Sequence, residues 1–134
     1  MRTAILNYLK ANKKAISPLI LVDNVPWMDN GAGIYHHNKK HLYVDLDQVQ
    51  QDAVMDTLNG PGVIDEVTIV RAYFVTDAKI MISNLDAIID VIKEARLTPE
   101  IQGVIQRTCQ VTNTFVADAI QTEFEFKFRK LITN

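Results

Sequence analysis

The chain is poor in the residues that interrupt or staple a fold: one cysteine, four prolines and five glycines in 134 residues. A single thiol, Cys109, can neither close an intrachain disulfide nor build a thiolate zinc knuckle, and it fits a reducing compartment. No Pro- or Gly-rich linker, repeat or low-complexity tract divides the sequence, so residues 1–134 are expected to form a single domain. No apolar run approaches the roughly eighteen residues of a membrane span. The opening "MRTAILNYLKANKKA" is broken by Asn7, Tyr8 and Lys10, so no signal-peptide core is expected. An excess of one charge is missing too: 14 Lys and Arg face 16 Asp and Glu, a net charge of −2. A dedicated nucleic-acid binder draws much of its affinity from a positive excess; this global charge would not steer the chain toward DNA, which leaves only a local basic patch as an option.

What is present is a globular composition, 48% hydrophobic and 22% charged, which excludes disorder as the default state. Residues 3–14 read as a helix with Ile5, Leu6 and Leu9 on one face and lysines gathered at the end, where the helix dipole favours them. "PLILV" reads as a short buried strand, and "DNVPWMDNGAG" as loop. From Leu42 the period becomes two: Leu42, Val44 and Leu46 point one way, Tyr43, Asp45 and Asp47 the other. Residues 48–62 are ambiguous. A capping box at Asp47–Gln50 and a stop at Gly60 allow a helix, but a continued strand with an irregular tail toward "NGPG" is the expectation.

Residues 63–75 read as a central strand covered on both faces, because both alternating sets are largely apolar. Ser83 with Asp86 predicts a cap for a helix through Arg96 that carries Leu85, Ile88, Ile89, Ile92 and Ala95 inward, ended by Thr98-Pro99. "GVIQRTCQVTN" alternates, a turn is expected near Asn113, and a last strand follows. Its buried set is Val116, Asp118, Ile120, Thr122, Phe124, Phe126 and Phe128; its wet set is Glu123, Glu125, Lys127 and Arg129. The expected class is α+β, a mostly antiparallel sheet packed with two α-helices in a single layer-type domain.

Every histidine lies in "IYHHNKKHLYVDLD": His36, His37 and His41. Three imidazoles invite a metal site, but in an extended segment His37 and His41 stand about 13 Å apart and His36 faces the other way. Lys39 and Lys40 offer phosphate binding as point charges, yet "NGAG" and "NGPG" lack phosphate-loop spacing. Asp45 and Asp47 share a strand face and form a candidate acid pair with no partner set to tune them. Cys109 lies on the apolar face of its strand, where an inert buried thiol is expected, and neither Ser17 nor Ser83 sits in a nucleophile elbow. The Phe124, Phe126 and Phe128 stripe is core, since the neighbouring Glu123 and Glu125 would repel a nucleic-acid backbone. No catalytic, cofactor-binding or metal residues are assigned. A small metal- or ligand-binding enzyme domain built on the His36/His37/His41 loop stays as the alternative from another class.

In layout the chain resembles the tail terminator (tail completion) proteins of long non-contractile-tailed bacteriophages, lambda tail terminator-like. The resemblance runs through the helix "TAILNYLKAN", the strand–helix unit "VTIVRAYFVTDAK"–"NLDAIIDVIKEARL" and the closing hairpin "GVIQRTCQVTNTFVADAIQTEFEFKFRKLI". It covers nearly the whole chain, and none of these segments is a diagnostic motif. It implies a non-enzymatic virion structural protein: a homo-oligomeric ring, usually a hexamer, that caps the head-proximal end of the tail tube and stops its polymerisation. The implied partners are the tail tube protein and the head–tail connector or stopper protein. DNA passes through the channel without specific binding, no membrane is involved, and assembly takes place in the host cytoplasm. Another head–tail joining, neck or tail tube protein shares the same scale and style. Replacing His36, His37 and His41 together with Gln is expected to leave the circular-dichroism spectrum and melting transition intact; collapse of the fold would give the loop a structural role.

Overall fold

A computed structural model describes residues 1–25, 39–57, 60–79, 82–116 and 118–133. Helix α1, Arg2–Ala11, leads to strand β1, Ile20–Val22, and strand β2, His41–Val44. Strands β3, Gln48–Thr57, and β4, Gly60–Asp77, follow. Helix α2, Leu85–Lys93, with a 3-10 turn over Glu94–Leu97, then leads to β5, Gln106–Val116, and β6, Ala119–Thr133. The architecture is the expected α+β arrangement of two helices on a mostly antiparallel sheet.

The sheet runs β1-β2-β4-β6-β5, with β3 also paired to β4. β6 occupies one side of β4 from Val63 to Asp77, so β2 and β3 must lie end to end along its other side. β1 and β2 are parallel; every other pair is antiparallel. Residues 48–57 are therefore strand, as expected, but a separate one, with register shifts near Ala53, Met55 and Asp56. The break at Asp45–Asp47 fixes the start of α1: Asp47 accepts the Arg2 backbone N–H at 2.8 Å, and Arg2 Nε donates to the Val44 carbonyl at 2.8 Å. A remote carboxylate thus satisfies a donor at a helix end whose own N-cap makes no side-chain bond.

Alternation decides which face the helices cover. Phe124, Phe126 and Phe128 of β6 lie beside Ala72, Val70 and Thr68 of β4, and all six are buried. Ile5 and Leu9 of α1, Ile88 and Ile92 of α2, and Ala95 complete this core. The aromatic rings are close enough to interact, Phe74 and Phe124 having centroids 6.1 Å apart. Glu123, Glu125, Lys127 and Arg129 point to the other face, as their alternation predicted.

Five expectations need correction. The α2 cap does not involve Ser83: Asn84 is the N-cap, without a side-chain cap bond. The turn is not near Asn113, because β5 continues to Val116; the Asn113 amide oxygen is satisfied within the sheet by the Thr122 hydroxyl at 2.7 Å. Val116 therefore belongs to β5, and Asp118 is exposed beyond the strand rather than buried on the last one. "PLILV" yields only the three-residue β1, whose first residue, Ile20, is exposed. Finally, β4 is central but covered fully on one face only: on the other, Tyr73 and Val75 are buried while Val67, Ile69 and Arg71 are half-buried.

Truncating a ring in this core should be costly. Phe126→Ala is expected to lower unfolding stability by about 3–5 kcal/mol, whereas Lys127→Ala next to it should change it by no more than about 0.5 kcal/mol. Urea denaturation reads both, and similar losses would contradict the assignment of faces.

A candidate assembly surface

The chemical candidates are dispersed by the fold. His36 and His37 lie outside the described residues. His41 opens β2, with its ring centroid 6.3 Å from that of Tyr43. Lys39 forms an ion pair with Asp77 at the far end of β4. Lys40 is exposed and takes a left-handed backbone, φ 66°, with its N–H bonded to the Val75 carbonyl at 2.8 Å. Asp45 and Asp47 have separate partners: Asp45 accepts the Leu46 N–H at 2.8 Å, and Asp47 holds the start of α1. Among the described residues, no three His, Cys, Asp or Glu side chains come together as a metal site.

The fold brings together a polar sheet face instead. On the side away from the helices, Arg71 of β4 lies between two β6 carboxylates, 3.5 Å from Glu123 and 3.3 Å from Glu125, and also donates to Gln48 of β3. Two periods of the alternation further along, Arg129 Nε donates to Asp65 at 2.8 Å. That guanidinium holds the Asp65 carboxyl below the usual carboxylate range, and the carboxylate raises Arg129 in turn. The uncharged Gln106, Thr108, Gln110 and Thr112 of β5 complete the face. Cations and anions on it neutralise one another, so it presents no strong field of either sign. Sequence reading placed the β6 charges correctly but missed Arg71 as their partner; an arginine in an otherwise apolar strand was the available signal.

The second feature is the perimeter. Among the described residues nothing pairs with the outer side of β5, nor with the outer side of β3. Large apolar side chains stand exposed on and beside these edges: Val49 at 57%, Val54 at 60%, Ile105 at 61% and Phe115 at 74%. Single exposed apolar residues are ordinary, but here they accompany unpaired strand edges. Arg107, at the start of β5, is turned inward and donates to the carbonyls of Arg96, Thr98 and Ile101, which ties the segment after α2 to this edge strand.

No family model matches the chain, and no curated protein matches it. Its fold does match a solved structure, a chain from the virion of a native gene transfer agent particle. The TM-score is 0.60, with 96% of this chain and 92% of that chain aligned at 15% identity. Identity this low establishes a shared fold across almost the full length of both chains.

Cys109 is on the face its alternation predicts, but it is half-buried rather than fully buried. It lies beside Phe126 on the helix-covered face, and burial pushes its thiol up to about 11, against the lowering influence of Lys93 and Arg96. A thiol this reluctant to ionise is a poor nucleophile at neutral pH. Alkylation of Cys109 in the folded protein should be slow at pH 8 and rise along a curve centred near 11 rather than 9.0. Because the folded value is raised, the thiol's stabilising contribution is complete below pH 9.0 and is lost as pH climbs toward 11. A reaction profile centred near 9 would contradict the burial.

Proposed function

We propose that this chain is a virion structural protein. It assembles as a homo-oligomeric ring of six copies on the head-proximal end of a phage-type tail tube. The ring ends tube polymerisation and offers its other surface to the head–tail connector protein. The observation that carries the reading is the fold shared over 96% of this chain with a chain of a gene transfer agent virion. The layout resemblance to tail terminators narrows it to the end of the tube.

The physical features agree with a contact function. The polar sheet face has its charges paired across strands by Arg71 with Glu123 and Glu125 and by Arg129 with Asp65. A surface balanced in this way does not grip a phosphate backbone, which suits a channel through which DNA slides. Two of the chemical candidates have structural contacts: Asp47 holds the start of α1, and Cys109 packs against the core. Unpaired edges and exposed apolar residues are what association with other chains uses.

The test is tube assembly. Purified chain added to its cognate tail tube protein during polymerisation is expected to shorten the tubes in a dose-dependent way. Electron microscopy should show one ring at one end of each tube. Tubes of unchanged length with no added density at either end would overturn the reading.

A further inference from the structure

Among the described residues β1, β3 and β5 each have an unpaired side; β1 is only three residues long, and the two longer edges, β3 and β5, are unequal in a way that bears on how copies meet. β5 is eleven residues long, "QRTCQVTNTFV", and pairs with β6 in unbroken register from Gln106 to Val116. It has none of the usual protections of an edge strand: no proline, no register shift and no exposed charge, since Arg107 is engaged with three carbonyls. β3, ten residues long, "QVQQDAVMDT", carries Asp52 and Asp56, no base, and register shifts in its second half. β5 therefore carries one positive charge and no negative one, whereas β3 carries two negative charges and no positive one.

Building on the ring reading, we infer that neighbouring copies join by strand addition, the free edge of β5 in one copy pairing with the free edge of β3 in the next. Three observations support that pair over like-with-like contacts. β3 against β3 would bring aspartates together, and β5 against β5 would close a two-fold pair and stop there; β5 against β3 sets those aspartates against an edge with no exposed charge and continues head to tail. The directions agree as well. β3, β4, β6 and β5 alternate in direction across the sheet, so β3 and β5 are themselves antiparallel. Rotation about an axis to which the strands are tilted then sets β5 of one copy antiparallel to β3 of its neighbour, and the alternation never breaks. The exposed Val49 on β3 and Ile105 and Phe115 at the ends of β5 gain cover in the same contact.

The strands also state a geometric condition. β5 lies at the level of β4 residues Val67–Asp77, as transmitted through β6, whereas β3 lies at Gly60–Ile69. Full overlap requires successive copies to be staggered along the strand direction, as in closed sheets, where strand tilt provides that stagger.

The experiment starts from a Cys109→Ala background with either Gln110→Cys on β5 or Gln50→Cys on β3, both exposed positions on the sheet face away from the helices. A short bismaleimide should cross-link a mixture of the two variants into dimers, while each variant alone stays uncross-linked. Charge gives a second readout by sedimentation: Gln110→Glu with Thr112→Glu should weaken association by about tenfold through like charge across the edge. Gln110→Lys with Thr112→Lys should leave association unchanged or tighter. Circular dichroism confirms that each variant is folded. Self-cross-linking of the β5 variant, or equal weakening by the Glu and Lys pairs, would overturn the inference in favour of a two-fold contact. A ring that forms without any β5–β3 cross-link would overturn the inference but leave the ring reading standing. A chain that stays monomeric throughout would overturn both.

Discussion

A helix of ten residues is about 15 Å long, and a strand of eighteen residues is about 60 Å long. That mismatch governs this molecule. α1 has ten residues and α2 nine, while the strands at the centre of the sheet have eighteen and fifteen. The helices therefore cover one face of the middle of β4 and β6, from Thr68 to Phe74 and Thr122 to Phe128. They do not reach the opposite face, where Tyr73 and Val75 are buried but Val67, Ile69 and Arg71 are only half-buried, nor the end of the sheet near Val63 and Leu131. The core is complete where the phenylalanine stripe lies, and the rest of the sheet is a surface long enough to meet other chains.

The exposed parts are handled in two different ways. On the open face, polar side chains satisfy one another within the chain, by the Arg71 pairs and the Arg129–Asp65 pair. Such exposed pairs add little stability, on the order of 0–1 kcal/mol each, but they leave the face neutral and unattractive to partners. Among the described residues nothing within one copy pairs with the outer side of β5, which keeps a regular row of backbone groups. Self-satisfied polar pairs on the face and an unpaired β5 edge are the features on which the proposed edgewise association rests. That physical asymmetry links the fold to the proposed ring.

Much of this was legible in the sequence because period-two alternation records burial directly. Phe124, Phe126 and Phe128 against Glu123, Glu125 and Lys127 fixed the orientation of β6 and, through its register, that of β4. The helices were equally clear in Ile5, Leu6 and Leu9 and in Ile88 and Ile92. What escaped depended on contacts remote in sequence. Asn113 resembles a turn residue until Thr122 is known to hydrogen-bond it from the neighbouring strand. Asp47 resembles a candidate acid until α1 is known to start beside it. Apolar residues on both sides of β4 suggested double cover because Arg71 has no visible partner until β6 brings Glu123 and Glu125 alongside. The edges themselves cannot be read from local pattern, since a strand's rank in the sheet is a property of topology.

The most direct measurement is the native mass of the purified chain in solution across a wide concentration range. The account predicts one closed species at six times the 15.2 kDa chain mass, persisting on dilution. A 15.2 kDa monomer at every concentration would contradict it.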